Sequence, residues 1–147
     1  MVTKAWVTVL MAGLFLAGYG VAGFGQDAVQ LPAIVYGKSG GFAGLEQKWN
    51  IYANGRIENS EGVLVSQAEA AEVTAVLQTA DEVEFYELDD EYLEGGDCCD
   101  LITYTLTITD GEQTKTVVTR DNSPHPPAYE IILTAVDDLI YDNAITE

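Results

Sequence analysis

Apolar and polar positions alternate along most of the chain beyond residue 30, and the period of that alternation divides it into strands and helices. Ile34, Val35 and Tyr36 predict a first strand over residues 33–38. A run of small residues follows at 39–45. Residues 47–52 put Trp49 and Ile51 on one face and Lys48, Asn50 and Tyr52 on the other, a period of two. Asn54-Gly55 accepts positive φ at low cost and turns the chain into a hairpin arm. That arm begins at Arg56, carries Ile57, loosens over 58–62 and recovers at Val63-Leu64-Val65. Ser66 predicts a helix start, because its hydroxyl can cap a free backbone N–H and Glu69 completes a capping box. Val73, Val76, Leu77 and Ala80 then recur at helical spacing, and the pattern fades near Asp81.

The clearest strand comes later. Ile102, Tyr104, Leu106 and Ile108 alternate without a break with Thr103, Thr105, Thr107 and Thr109. Asp110-Gly111 is a second hairpin signal, and 112–119 returns as a threonine-rich arm carrying Val118. Ser123-Pro124-His125-Pro126-Pro127 cannot continue a strand and leads into a last helix. Tyr129, Ile132, Leu133, Val136 and Ile140 share one side of it. The order of strands, helix, strands, helix predicts an α+β domain: an antiparallel sheet built from hairpins, with two helices packed on one face.

The amino terminus stands apart from this pattern. Lys4 is the only charge before Asp27, and residues 5–25 are apolar or small throughout. That is the build of a signal peptide, or of an uncleaved anchor, since about 20 apolar residues just span a bilayer. Tyr19 occupies the place where a lipid-bearing cysteine would have to stand, so lipidation is excluded. The division is a leader over 1–25 and a single domain over 26–147. The domain is therefore expected to be extracytoplasmic, either secreted or periplasmic, or membrane-anchored if the leader is uncleaved.

Charge narrows the function classes. In 147 residues and 15.9 kDa, 6 basic residues face 24 acidic ones, for a formal charge of -18. Such a surface does not track phosphates by counterion release, so nucleic-acid partners are excluded, and membrane contact is expected only through the leader. Ten carboxylates and no base fall in residues 81–100. That stretch reads either as a solvated face or as a divalent site, and Asp89-Asp90-Glu91 lacks the ligand alternation of an EF-hand. The only histidine, His125, sits between prolines with no second ligand spaced for it, and Ser39, Ser60, Ser66 and Ser123 have no nucleophile elbow around them. No catalytic group, metal or cofactor is expected. The two cysteines, Cys98 and Cys99, are neighbours; either one thiol is buried beside an exposed one, or they form a strained vicinal disulfide.

The most specific segment is Tyr36-Gly37-Lys38-Ser39-Gly40-Gly41-Phe42-Ala43-Gly44-Leu45. It resembles the signature that opens the emfourin-like family, the protealysin-associated inhibitors of thermolysin-like metalloproteases. The strand after it, the Asn-Gly turn, the capped helix, the aromatic-acidic segment, the Tyr104-Thr105-Leu106-Thr107 strand and the proline-led last helix follow suit, from about Ile34 to Ile140. The leader, the cysteine pair and the density of carboxylates differ from that family. The resemblance implies a small α+β protein, expected as a monomer, that binds a thermolysin-like metalloprotease through Ser39, Gly40, Gly41, Phe42, Ala43, Gly44 and Leu45. Gly41-Phe42 and Gly44-Leu45 each offer a bulky apolar side chain after a residue too small to obstruct close backbone approach. The competing reading is that Phe42 and Leu45 are core residues and the glycines only allow a sharp bend. The alternative function is an acidic extracytoplasmic binding module, in one form calcium-dependent, that keeps the fold without inhibition.

Overall fold

Seven strands form one sheet in the order β4-β3-β2-β1-β6-β7-β5, seen in a computed structural model that describes residues 30–95 and 100–145. The leader and the Cys98-Cys99 pair lie outside the described residues. The strands are β1 (Ile34–Gly40), β2 (Leu45–Ile51), β3 (Arg56–Asn59), β4 (Leu64–Gln67), β5 (Glu91–Tyr92), β6 (Ile102–Asp110) and β7 (Gln113–Arg120). Every pairing is antiparallel except the short parallel contact of β5 with β7. The helices are α1 (Ala70–Glu82) and α2 (Pro127–Tyr141). This is the expected α+β arrangement.

The period of two decides which side of the sheet is covered. Ile34 and Tyr36 of β1, Trp49 and Ile51 of β2, Ile57 of β3, Leu106 and Ile108 of β6 and Val117 of β7 are all buried. They meet Val73, Val76 and Ala80 of α1 and Tyr129, Ile132, Val136, Leu139 and Ile140 of α2 in one core. Phe85, on the single 3-10 turn Phe85–Glu87 after α1, is fully buried among them. A large apolar side chain removed from water this way contributes roughly 1.5–3 kcal/mol. Thr103, Thr105, Thr107 and Thr109 point to the opposite side of the sheet from these residues.

Two local expectations are corrected. The first helix starts at Ala70, not after Ser66, and its capping box is Glu69 with Glu72. The Glu69 N–H donates to the Glu72 carboxylate at 2.7 Å. Ser66 belongs instead to β4, where its buried hydroxyl donates to the Ile140 carbonyl at 3.1 Å. The second hairpin turn is Gly111-Glu112, one residue later than expected, because Asp110 still pairs with Gln113.

The outer edge of β4 is not bare. Ser66 bridges Ala144, the Gln67 N–H donates to the Asn143 carbonyl, and the Ile145 N–H donates to the Val65 carbonyl. The residues after α2 thus occupy backbone groups that an edge strand would otherwise offer to another chain. Among the described residues no helix is long and apolar enough to cross a membrane.

Candidate functional site

The glycine-rich segment is the tip of the β1–β2 hairpin. Ser39 and Gly40 are the last residues of β1 and Leu45 the first of β2, so the loop proper is Gly41-Phe42-Ala43-Gly44, shorter than the 39–45 loop read from sequence. Phe42 is 91% exposed at the apex, which overturns the reading of it as a core residue. Leu45 is half-buried opposite Gly40. The expected anchor pair is therefore unequal. Phe42 alone stands free.

The tip is held from outside the hairpin. The Gly41 N–H donates to the Leu101 carbonyl at 3.2 Å, and the Phe42 N–H donates to the Asp100 carboxylate. Within the turn, the Gly44 N–H donates to the Gly41 carbonyl at 3.0 Å. Gly40 and Gly41 have φ of 111° and 74°. A Cβ on Gly40 would lie 2.6 Å from the Leu101 carbonyl oxygen, and one on Gly41 would lie 2.8 Å from the Asp100 carboxylate. Only glycine allows both that backbone form and that approach. Composition alone gave no sign of Asp100, which is one carboxylate among many in an acidic run.

Just below the tip the hairpin is tied down by a cation. Lys38 Nζ is 3.1 Å from the Asp137 carboxylate of α2 and 5.1, 5.7 and 5.4 Å from the ring centres of Tyr36, Trp49 and Tyr141. Tyr36 and Trp49 stack at 5.5 Å. A cation over several rings gains roughly 0.5–2 kcal/mol per desolvated contact, so Lys38 ties β1 to α2 just below the tip.

Beside this tie lies a cleft of about 310 Å³ lined by Lys38, Tyr104, Asp121, His125, Tyr129 and Asp137, among others. The Tyr104 hydroxyl donates to Asp121 at 3.0 Å, and the His125 ring nitrogens lie 2.9 Å from the Ser123 carbonyl and 3.3 Å from Glu130. Tyr104 and His125 thus spend their polar atoms on neighbours within the cleft. Among the described residues no group of three or more His, Cys, Asp or Glu is placed to hold a metal ion.

Three tyrosines here resist ionisation. Burial, then hydrogen bonding to Asp121, pushes Tyr104 up to about 12. Burial also pushes Tyr129 up to about 12, and drives Tyr36 higher still with help from Asp137. In the unfolded chain the same phenols ionise near 10. Between about pH 10 and 12 the unfolded state therefore binds fewer protons than the folded one, and stability falls as pH rises. The melting midpoint should be insensitive to these groups below pH 9 and drop through that window. A midpoint that stays level to pH 12 would contradict the burial of these hydroxyls.

The tip clamp has its own test. Asp100→Ala removes the acceptor for the Phe42 N–H, while Asp100→Asn keeps a carbonyl oxygen in its place. Backbone amide exchange at Phe42 should quicken by about fivefold in the alanine variant, and stay near the original rate in the asparagine variant, because about 1 kcal/mol of hydrogen bond is lost only in the first. Equal rates in all three proteins would show that Asp100 does not hold the tip.

Compared with known proteins, the chain matches no protein family and no curated sequence.

Proposed function

We propose that this chain is a non-catalytic, extracytoplasmic inhibitor of thermolysin-like zinc metalloproteases, acting by occlusion of the active-site cleft. The resemblance of residues 36–45 to the emfourin-like signature supplies the target class. The observation that carries the mechanism is Phe42, 91% exposed on a hairpin tip that Asp100 and Leu101 pin from the side. Proteases of that class accept a bulky apolar side chain just after the scissile bond. Gly41-Phe42 would present one with nothing bulky before it.

Preorganisation supports the same reading. A loop already held in one form forfeits little entropy on binding, so more of the contact energy appears as affinity. The positive φ values at Gly40 and Gly41 keep the backbone out of the extended form that cleavage requires, so the tip would bind without being a good substrate. The test is titration of the purified protein against a panel of thermolysin-like proteases, with a serine protease as control. Stoichiometric inhibition confined to the metalloproteases supports the proposal, and no inhibition of any member overturns it. The calcium-dependent alternative has a separate signature. A saturable rise in melting midpoint with calcium, absent with sodium at matched ionic strength, would favour it; a site at 100 times its dissociation constant adds about 2.7 kcal/mol.

A further inference from the structure

The charge of this molecule is unevenly spread, and the open face of the sheet is where it vanishes. By register, that face carries Lys48, Arg56 and Arg120 against Glu46, Glu58 and Glu91, three bases and three acids, net zero in a chain of -18. The remaining described acids lie on helices, turns and loops or at strand ends. Between the charged positions the face is small and methyl-bearing: Val35 and Gly37 on β1, Thr105 and Thr107 on β6, Thr116 and Val118 on β7. Part of its hydroxyl capacity is already met internally, since Thr107 bonds Thr116 at 2.8 Å and Thr109 bonds Thr114 at 3.1 Å. Gly37, on the middle strand, floors a hollow of about 320 Å³ bordered by Val35, Ser39, Lys48 and Thr105.

We propose that this face docks against the same face of a second copy, giving a two-fold dimer of back-to-back sheets. The choice of occupant follows from electrostatics. Any contact made through the helical layer would bring two strongly acidic surfaces within a Debye length, about 8 Å at physiological salt. Packed open face to open face, with sheets about 10 Å apart, the two helical layers stand about 30 Å from each other, beyond the reach of screened repulsion. The charge pattern is also self-complementary. Glu46 and Lys48 alternate on β2, so a two-fold can set acid against base there, while Arg56 and Glu58 on β3 already pair with each other at 3.3 Å and bring no unpaired charge to the contact. The central strands, seven to nine residues long, offer with β3 on the order of 600 Å² per copy, at the small end of specific interfaces. An interface of that size is expected to be reversible. Phe42 lies at the end of β1 and β2, so both tips stay free.

Sedimentation equilibrium of the purified protein from about 1 to 200 μM tests this directly. Wild type should pass from monomer to dimer. Thr107→Lys and, separately, Thr107→Glu should each shift dissociation upward by at least about tenfold, because either charge meets its own copy near the two-fold. Phe42→Asp should leave association unchanged, which separates this proposal from the inhibitory reading. Amide shifts that move with wild-type concentration should cluster at Gly37, Thr105, Thr107 and Val118, a readout that needs no variant. A monomer throughout, a dimer indifferent to both Thr107 variants, or shifts confined to the helical layer would overturn the proposal.

Discussion

Phe42→Asp is expected to abolish inhibition, raising the inhibition constant by at least about 100-fold, while the melting midpoint moves by less than about 2 °C. Seating a phenylalanine in an apolar pocket is worth roughly 2–4 kcal/mol, and such residues sit among the strongest interface contacts. Aspartate loses that contribution and adds a carboxylate that an apolar pocket cannot solvate. The folded chain loses little, because a side chain that is 91% exposed has few neighbours to leave. Inhibition assays and calorimetry on the same preparation check both halves. Full inhibition by the variant would move the contact surface away from the tip.

The largest expected loss of stability is at Gly55. It is buried, has φ of 87°, and its carbonyl accepts from the Ala68 N–H at 3.0 Å. A Cβ there would overlap the Ala68 carbonyl oxygen. Gly55→Ala combines a left-handed conformation costing roughly 1–2 kcal/mol with forced displacement costing roughly 1–3 kcal/mol more. The midpoint should fall by roughly 10 °C. Gly62→Ala is the matched control, with φ of 77° but nothing within 4 Å of the new Cβ, and should cost only about 1 kcal/mol. Equal losses at the two positions would show that the β2–β3 turn does not bear on the chain entering α1.

Much of the fold was legible because it is written locally. The unbroken alternation of residues 102–109 marks β6 from its own composition, and Asn54-Gly55 announces its turn. The prolines before Ala128 place the start of α2. What failed depended on distant partners. Ser66 has the chemistry of a helix cap, but Ile140, 74 residues away, claims its hydroxyl. Leu139 is buried on α2 yet did not belong to the stripe read from spacing, because α2 packs against α1 as well as the sheet. The site divides the same way. The glycines around Phe42 signalled a special loop, whereas Asp100 and Lys38 became meaningful only when β6 and α2 were laid beside β1.

The seam between β1 and β6 also governs how the protein comes together in time. Each hairpin can close locally, on the order of microseconds. Joining Ile34 to Ile108 requires a loop of roughly seventy residues to close before any pairing rewards it. Until then Tyr36 and Trp49 have neither β6 beside them nor α2 above them. A chain synthesised from its amino terminus therefore carries an uncovered aromatic strip from the time β2 is made until β6 and α2 follow.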